Sequence, residues 1–276
     1  MPTHAPTTTP TPTAARVPAA EPPPAPEPAP APAPTSLRER RRAVATQEIL
    51  DAAERHITEH GPAALSLRAV ARSLGMTVQA LYHYYPRRHA LVTELIARTY
   101  DDLAAAVRAA IDSAGDDPAV PRLVVAAEGY RRWAVAHPER FQLLYGTPLR
   151  DYAAPADGPT TLAMRRISAI FQRELFGEFT AAQLAAADTP ALTPSFRAQL
   201  EQLPPDLRDL PAPATALLLS AWGHMHGLVV LEVFGHTSFI GDHQAEVFRM
   251  AMRNMLEDIH RRIPDTSAAE EPPKPS

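Results

Sequence analysis

The chain has 276 residues, 45% of them hydrophobic and 21% charged, enough for one sizeable core or for a small domain joined to a larger one, which excludes fibrous, collagenous and wholly disordered classes. It contains no Cys, which excludes a disulfide scaffold, a thiolate metal site and a cysteine nucleophile. The formal net charge of -4 conceals an uneven split: residues 36–92 hold nine Arg against five acids, and residues 93–263 hold 16 Arg against 21 acids, so the basic balance that suits a polyanion lies in one small unit.

Residues 1–35 are read as a disordered tail, because 13 of the 31 prolines fall within the first 34 positions among Thr and Ala, and too few large apolar side chains are present to repay ordering. No apolar stretch there resembles a signal peptide. The most apolar run, 214–235, is interrupted by His224, His226 and Glu232, so secretion and membrane spanning are not expected and a cytoplasmic location is. The folded part is predicted to start near Ser36. Arg38, Arg40, Arg41 and Arg42 precede a first helix in which Ile49, Ala53 and Ile57 step by four up to Gly61-Pro62. Leu67, Val70, Ala71 and Leu74 stripe a second helix with Ser66 as N-cap and Gly75 as stop; a third, about 77–84, turns Val78, Leu81 and Tyr85 inward and ends at Pro86.

A fourth helix is predicted from Arg87 or Arg88 to about Ser113, presenting Leu91, Leu95 and Leu103. Beyond it, helices are expected over 121–137, 138–144, 160–178, 213–234 and 243–262, with Pro121 and Pro138 suited to first-turn positions. Two long connections, 146–159 and 181–212, are expected to be variable, the second interrupted by a short helix over 195–203. Pro264 and the Glu/Pro-rich run after it end the fold, so 264–276 is a second disordered tail. No alternating strand pattern is convincing. The fold class is therefore all-α.

Helix, Gly75 turn and helix over 66–85 have the form of a helix-turn-helix, in which the second helix enters the DNA major groove. A structural helical hairpin has the same local pattern. The run Ala80-Leu-Tyr-His-Tyr-Tyr-Pro-Arg-Arg-His-Ala-Leu91, with the Ile49-Leu-Asp-Ala-Ala53 helix and the Gly61 turn before it, resembles the N-terminal domain of the TetR family of bacterial transcriptional regulators. The segment from Tyr130 to Gly146 and the Trp222-Gly-His-Met-His-Gly227 run resemble the C-terminal domain of the WHG-motif subset common in high-GC bacteria. The resemblance implies a three-helix DNA-binding domain over 36–91, joined to a larger helical effector-binding and dimerisation domain over 92–263. It also implies a homodimeric repressor that leaves a double-stranded operator when a small molecule binds. A non-enzymatic ligand-binding or protein-interaction regulator with weak or effector-dependent DNA binding is the alternative.

Carried onto this sequence, the resemblance places Thr77, Gln79 and Ala80 at the exposed start of the recognition helix, Gln79 as a base reader. Tyr82 and His83 fall at phosphate-contacting positions, with Tyr84, Arg87 and Arg88 as further candidates. Ser66 offers a hydroxyl and backbone amides to phosphate at a helix N-terminus, or serves only as a cap. Arg41 and Arg42 belong to a basic arm that either reaches DNA or is a solvated charge run.

Tyr130, Trp133, Phe141, Tyr145, Met164, Phe171, Trp222 and Met225 are candidate ligand-lining residues, against the reading of ordinary core. Leu218, Leu228, Val229, Leu231, Phe248, Met252, Met255 and Ile259 are candidate dimerisation residues on the last two helices. No metal site or cofactor is expected, since His224 and His226 are two apart and point in different directions. Catalytic function is not expected, for want of a nucleophile elbow, a phosphate-binding glycine loop, an HExxH run or paired carboxylates.

Overall fold

The computed structural model describes residues 36–115, 119–146, 158–202 and 209–265. Most of both predicted tails, most of the 146–159 connection and the predicted helix end at Leu203 lie outside the described residues. Among those described, every regular element is helical.

The first helix, α1 (Leu37–His60), begins at Ser36, whose hydroxyl accepts from the Glu39 amide while the Glu39 carboxylate accepts from the Ser36 amide. This reciprocal cap satisfies two amides that a helix start otherwise leaves open. The arginines at 38, 40, 41 and 42 therefore lie within the first two turns of α1, where the sequence reading expected an arm ahead of the helix. Gly61, at φ 79, ends α1. Ile49, Leu50, Ala53 and Ile57 form its buried stripe, against which α2 (Leu67–Ser73) and α3 (Val78–Tyr82) pack through Leu67, Val70, Ala71 and Leu81.

The next helix, α4 (Arg88–Ala114), is about 40 Å long by its 27 residues at the usual helical rise. Its first turns bury Leu91, Val92 and Leu95 beneath α1–α3, and its later turns bury Leu103, Val107 and Ile111 in the C-terminal bundle. It packs chiefly on α5 (Arg122–Ala136) and α7 (Pro159–Phe176). Where α5 crosses α4, Gly129 permits close approach: a Cβ there would lie 2.8 Å from Ala110 Cβ and 3.3 Å from Val107 Cα. Pro121 is the N-cap of α5 and not a first-turn residue, whereas Pro138 opens α6 (Pro138–Tyr145) within its first turn.

Of the 181–212 connection, the described residues 181–202 are more ordered than a variable connection. They contain α8 (Ala181–Ala185), started by a Thr180–Gln183 capping box, and α9 (Pro194–Glu201). The Asp188 amide donates to the Arg262 carbonyl oxygen at 2.7 Å, and Gln183 Nε2 donates to that of Pro264 at 3.0 Å. Both bonds hold the stretch against the end of α11 (Gln244–Arg261). The remaining long helix, α10 (Ala212–Val233), is joined to α5 by a bidentate ion pair between Arg131 and Glu232, and Arg249 of α11 meets Glu128 of α5 at 2.7 Å.

Four of the expected dimerisation residues are buried within one subunit: Val229, Phe248, Met252 and Ile259 pack into the core. Their side chains cannot face a partner, because the helical repeat turns them toward α5 and the bundle. Leu218, Leu228 and Met255 are half-buried, and Leu231 is exposed together with Leu219, Val247 and Met250. α10 is long and apolar enough to cross a membrane by length and composition alone, a property that core helices of soluble proteins share.

Candidate nucleic-acid interface and internal cavity

The turn between α2 and α3 is built from local bonds. Gly75 takes φ 64, and the Met76 amide donates to the Ala71 carbonyl oxygen at 3.0 Å. Thr77 then caps α3, its hydroxyl accepting from the Ala80 amide at 3.1 Å. Leu81 and Tyr85 are buried on one side of α3, and the Tyr85 phenol is pushed up to about 12 by that burial. The opposite side carries Thr77, Gln79, Tyr82 and His83, all exposed, with Ala80 half-buried between them. A short anchored helix with a polar outer face is the geometry that enters a major groove.

The other predicted contacts are arranged around this face. Ser66 stands at the N-cap of α2, but its hydroxyl makes no capping bond, so the side chain does not serve the cap role expected of it. Arg41 is exposed on α1. Arg42 is engaged within the protein: its Nη2 donates to the His83 carbonyl oxygen at 3.2 Å, and its guanidinium lies 5.4 Å from the centre of the half-buried Tyr84 ring. Arg87 is exposed at the N-cap of α4, and Arg88 reaches the Leu65 carbonyl oxygen with Nη2 at 3.5 Å. Two acids of the basic unit, Asp51 and Glu54, turn away to Arg98 of α4 at 2.8 and 3.1 Å. Their charge is thereby compensated away from the face that carries Gln79.

In the C-terminal bundle a cavity of about 350 Å³ lies among α4, α5, α7, α10 and α11 and the end of α6. Of the predicted ligand residues, Tyr145, Met164, Phe171, Trp222 and Met225 line it. Tyr130, Trp133 and Phe141 do not: they are buried behind the wall, with the Trp133 indole donating to Asp102 at 2.8 Å. Tyr100, Ser168, His226 and Met255 line it without having been anticipated. The four-residue step from Trp222 to His226 was the available signal, since it puts both on one face of α10; their rings stack at 4.9 Å and 12°.

A polar pair lies along one wall. Tyr130 Oη lies 2.8 Å from His226 Nδ1, and the Tyr145 ring packs against those of Tyr100, Tyr130 and His226 at centroid distances of 5.9, 6.5 and 4.5 Å. Burial pushes the Tyr130 and Tyr145 phenols upward and the His226 imidazole downward. In all three the charged form is disfavoured by burial, so the neutral form is the one favoured at neutral pH. Among the described residues, no Asp, Glu, Lys or Arg lines the cavity, and no cluster of three metal-binding side chains occurs.

Residues 49–95 match the model of the family described as bacterial regulatory proteins, tetR family, and residues 123–255 match that of the tetracyclin repressor-like C-terminal domain. The HTH-type transcriptional regulator Rv1816 of Mycobacterium tuberculosis is 40% identical over 124 residues, 45% of this chain and 53% of that relative. A regulator from Mycobacterium bovis, Mb1846, matches to the same extent. The match thus spans about half the length of these relatives. The crystal structure of SCO4313, described as a regulatory protein, superposes with a TM-score of 0.62 at 33% identity, covering 80% of this chain and 100% of that one. A Rhodococcus sp. RHA1 protein of unknown function shares the fold at a TM-score of 0.56 and 24% identity, covering 78% of this chain and 94% of that one.

Proposed function

We propose, for a chain that belongs to the tetR family of bacterial regulatory proteins, that it represses transcription by holding an operator and releases it when a small molecule fills the cavity of the C-terminal bundle. Its class is that of a helix-turn-helix transcriptional regulator and not of an enzyme. The observation that carries the DNA-binding part is the division of α3 into a buried side, Leu81 and Tyr85, and an exposed polar side, Gln79, Tyr82 and His83. Gln79 reads a base edge, while Tyr82, His83, Arg41 and Arg87 hold phosphates and set the register.

Release is supported by two helices that touch both sites. Tyr100 lines the cavity two residues after Arg98, the arginine that holds Asp51 and Glu54 of α1. Tyr145 lines it at the end of α6, and Arg140 near the start of α6 lies 3.9 Å from Glu54. A ligand that resets these tyrosines shifts α1–α3 only if it binds the DNA-incompetent arrangement more tightly than the competent one.

Self-association supplies the second recognition helix. The exposed apolar side chains Leu219 and Leu231 on α10, with Val247 and Met250 on α11, form a surface of the kind an equivalent pair of helices covers. The experiment is nuclease-protection footprinting of the full-length dimer on DNA flanking its own gene, at stated salt and with nonspecific competitor. A protected, twofold-symmetric site supports the reading. No protection there, and none on any fragment recovered by genomic selection from protein verified as folded, would overturn it.

A further inference from the structure

The cavity's lining restricts what can occupy it. Its walls are the aromatic faces of Tyr145, Phe171 and Trp222 with the flexible side chains of Met164, Met225 and Met255. A buried anion or cation there would have no counter-charge among the described lining residues and would bear its full desolvation cost. At about 350 Å³ the space falls at the small end of the range for ligand pockets. The polar side chains that line it are Tyr100, Tyr145, Ser168 and His226.

The Tyr130–His226 pair defines what the other imidazole nitrogen can do. One hydrogen bond joins Tyr130 Oη to His226 Nδ1, and either group can be its donor. If Tyr130 donates to Nδ1, the imidazole proton resides on Nε2, which becomes a donor. If Nδ1–H donates to Tyr130, Nε2 becomes an acceptor. Nε2 has no hydrogen-bond partner among the described residues. A carbonyl matches only the first state, and an ether likewise. A hydroxyl matches both, because it donates and accepts, and so binds without forcing a tautomer.

Resting on the reading of this cavity as the effector site, we infer that it takes a small, uncharged, largely apolar molecule bearing one hydroxyl, which His226 Nε2 recognises. The ligand enters past Met164, an exposed side chain at the rim on α7, and seats its apolar body between Phe171 and Trp222.

The test is calorimetric titration of the full-length protein with three probes of one shape: para-butylphenol, butylbenzene and para-butylbenzoate. Para-butylphenol is expected to bind about tenfold tighter than butylbenzene, the effect of one hydrogen bond. It is expected to bind about a hundredfold or more tighter than the benzoate, whose charge is unpaired. His226→Phe should bring the phenol level with butylbenzene. Benzoate or butylbenzene binding as tightly as the phenol overturns the ligand class, whatever the variant does. Ser168→Trp places a large side chain at an exposed lining position and should block every probe. If it blocks them but the order of affinities is wrong, the cavity reading stands and the ligand class falls. If no probe binds, or binding survives Ser168→Trp, the effector-site reading falls with it.

Discussion

Arg42 Nη2 donates to the main-chain oxygen of His83 at 3.2 Å, joining the start of α1 to the end of α3 across 41 residues of sequence. The same guanidinium lies over the Tyr84 ring. This arginine holds the recognition helix in place, whereas Arg41, its neighbour on α1, is exposed to solvent. The two are therefore expected to respond differently to truncation. Arg41→Ala should lower the slope of log affinity against log salt by about one, the signature of one lost phosphate contact. Arg42→Ala should also lower the unfolding free energy, by about 0.5–1.5 kcal/mol for an exposed hydrogen bond. Salt-dependent anisotropy and denaturant unfolding measure the two effects, and an Arg42→Ala protein of unchanged stability would contradict the positioning role.

Gln79 and Tyr82 share the outer face of α3, and the proposed roles of base reader and phosphate contact predict different responses. Gln79→Ala should cost about 1–3 kcal/mol at one base-pair position of the operator and relax preference there. Tyr82→Phe removes an exposed hydroxyl and, on the proposed phosphate contact, should weaken all sequences alike. Binding to a library of single-position operator variants distinguishes the two, and a uniform loss for Gln79→Ala would refute base reading.

Glu54 is pushed above the usual carboxylate value of 4.5 by burial, an effect larger than the opposing pull of Arg98 and then Arg140. A folded-state pKa above the unfolded one means that the native protein binds the proton more tightly. This group's contribution to stability is thus present at low pH and lost as pH rises through the raised value. Glu54→Gln should flatten the fall in stability above pH 4.5 and cost little at neutral pH. Arg140→Met leaves the carboxylate less compensated and should cost more than about 1 kcal/mol. Urea unfolding across that pH range is the measurement, and a steeper fall in Glu54→Gln would contradict the assignment.

Gly129→Ala gains about 1 kcal/mol of helix propensity, yet its new Cβ would meet Ala110 Cβ at 2.8 Å. Overpacking of this kind costs about 1–3 kcal/mol, so the variant is expected to melt a few degrees lower. Adding Ala110→Gly should restore part of the loss, giving a favourable coupling in the double-mutant cycle. Additive effects would show that the α4–α5 crossing is looser than described.

The helix-turn-helix was legible because its determinants are local. The four-residue stripe of α1, the left-handed Gly75, the Thr77 cap and the Leu81 anchor act within a few residues of one another, and such bonds are encoded by adjacent positions. The stretch 181–202 was not legible in the same way, since its placement depends on Asp188 and Gln183 meeting residues 262 and 264. Tyr130, Trp133 and Phe141 looked like cavity residues for the reason that Tyr145 and Trp222 did: all are aromatic at helical spacing.

By itself, the sequence determined the all-helical class, the recognition helix and the residues on its outer face, because helical period and caps are properties of the chain's own neighbourhood. The tertiary structure alone decided which aromatic rings border a void, that Tyr130 of α5 meets His226 of α10, and which apolar side chains of α10 remain outside. An almost uniformly apolar helix such as α10 has no face marked in its sequence. Only its crossing with α5 and its Arg131–Glu232 pair select one, and that selection is made between residues about a hundred positions apart.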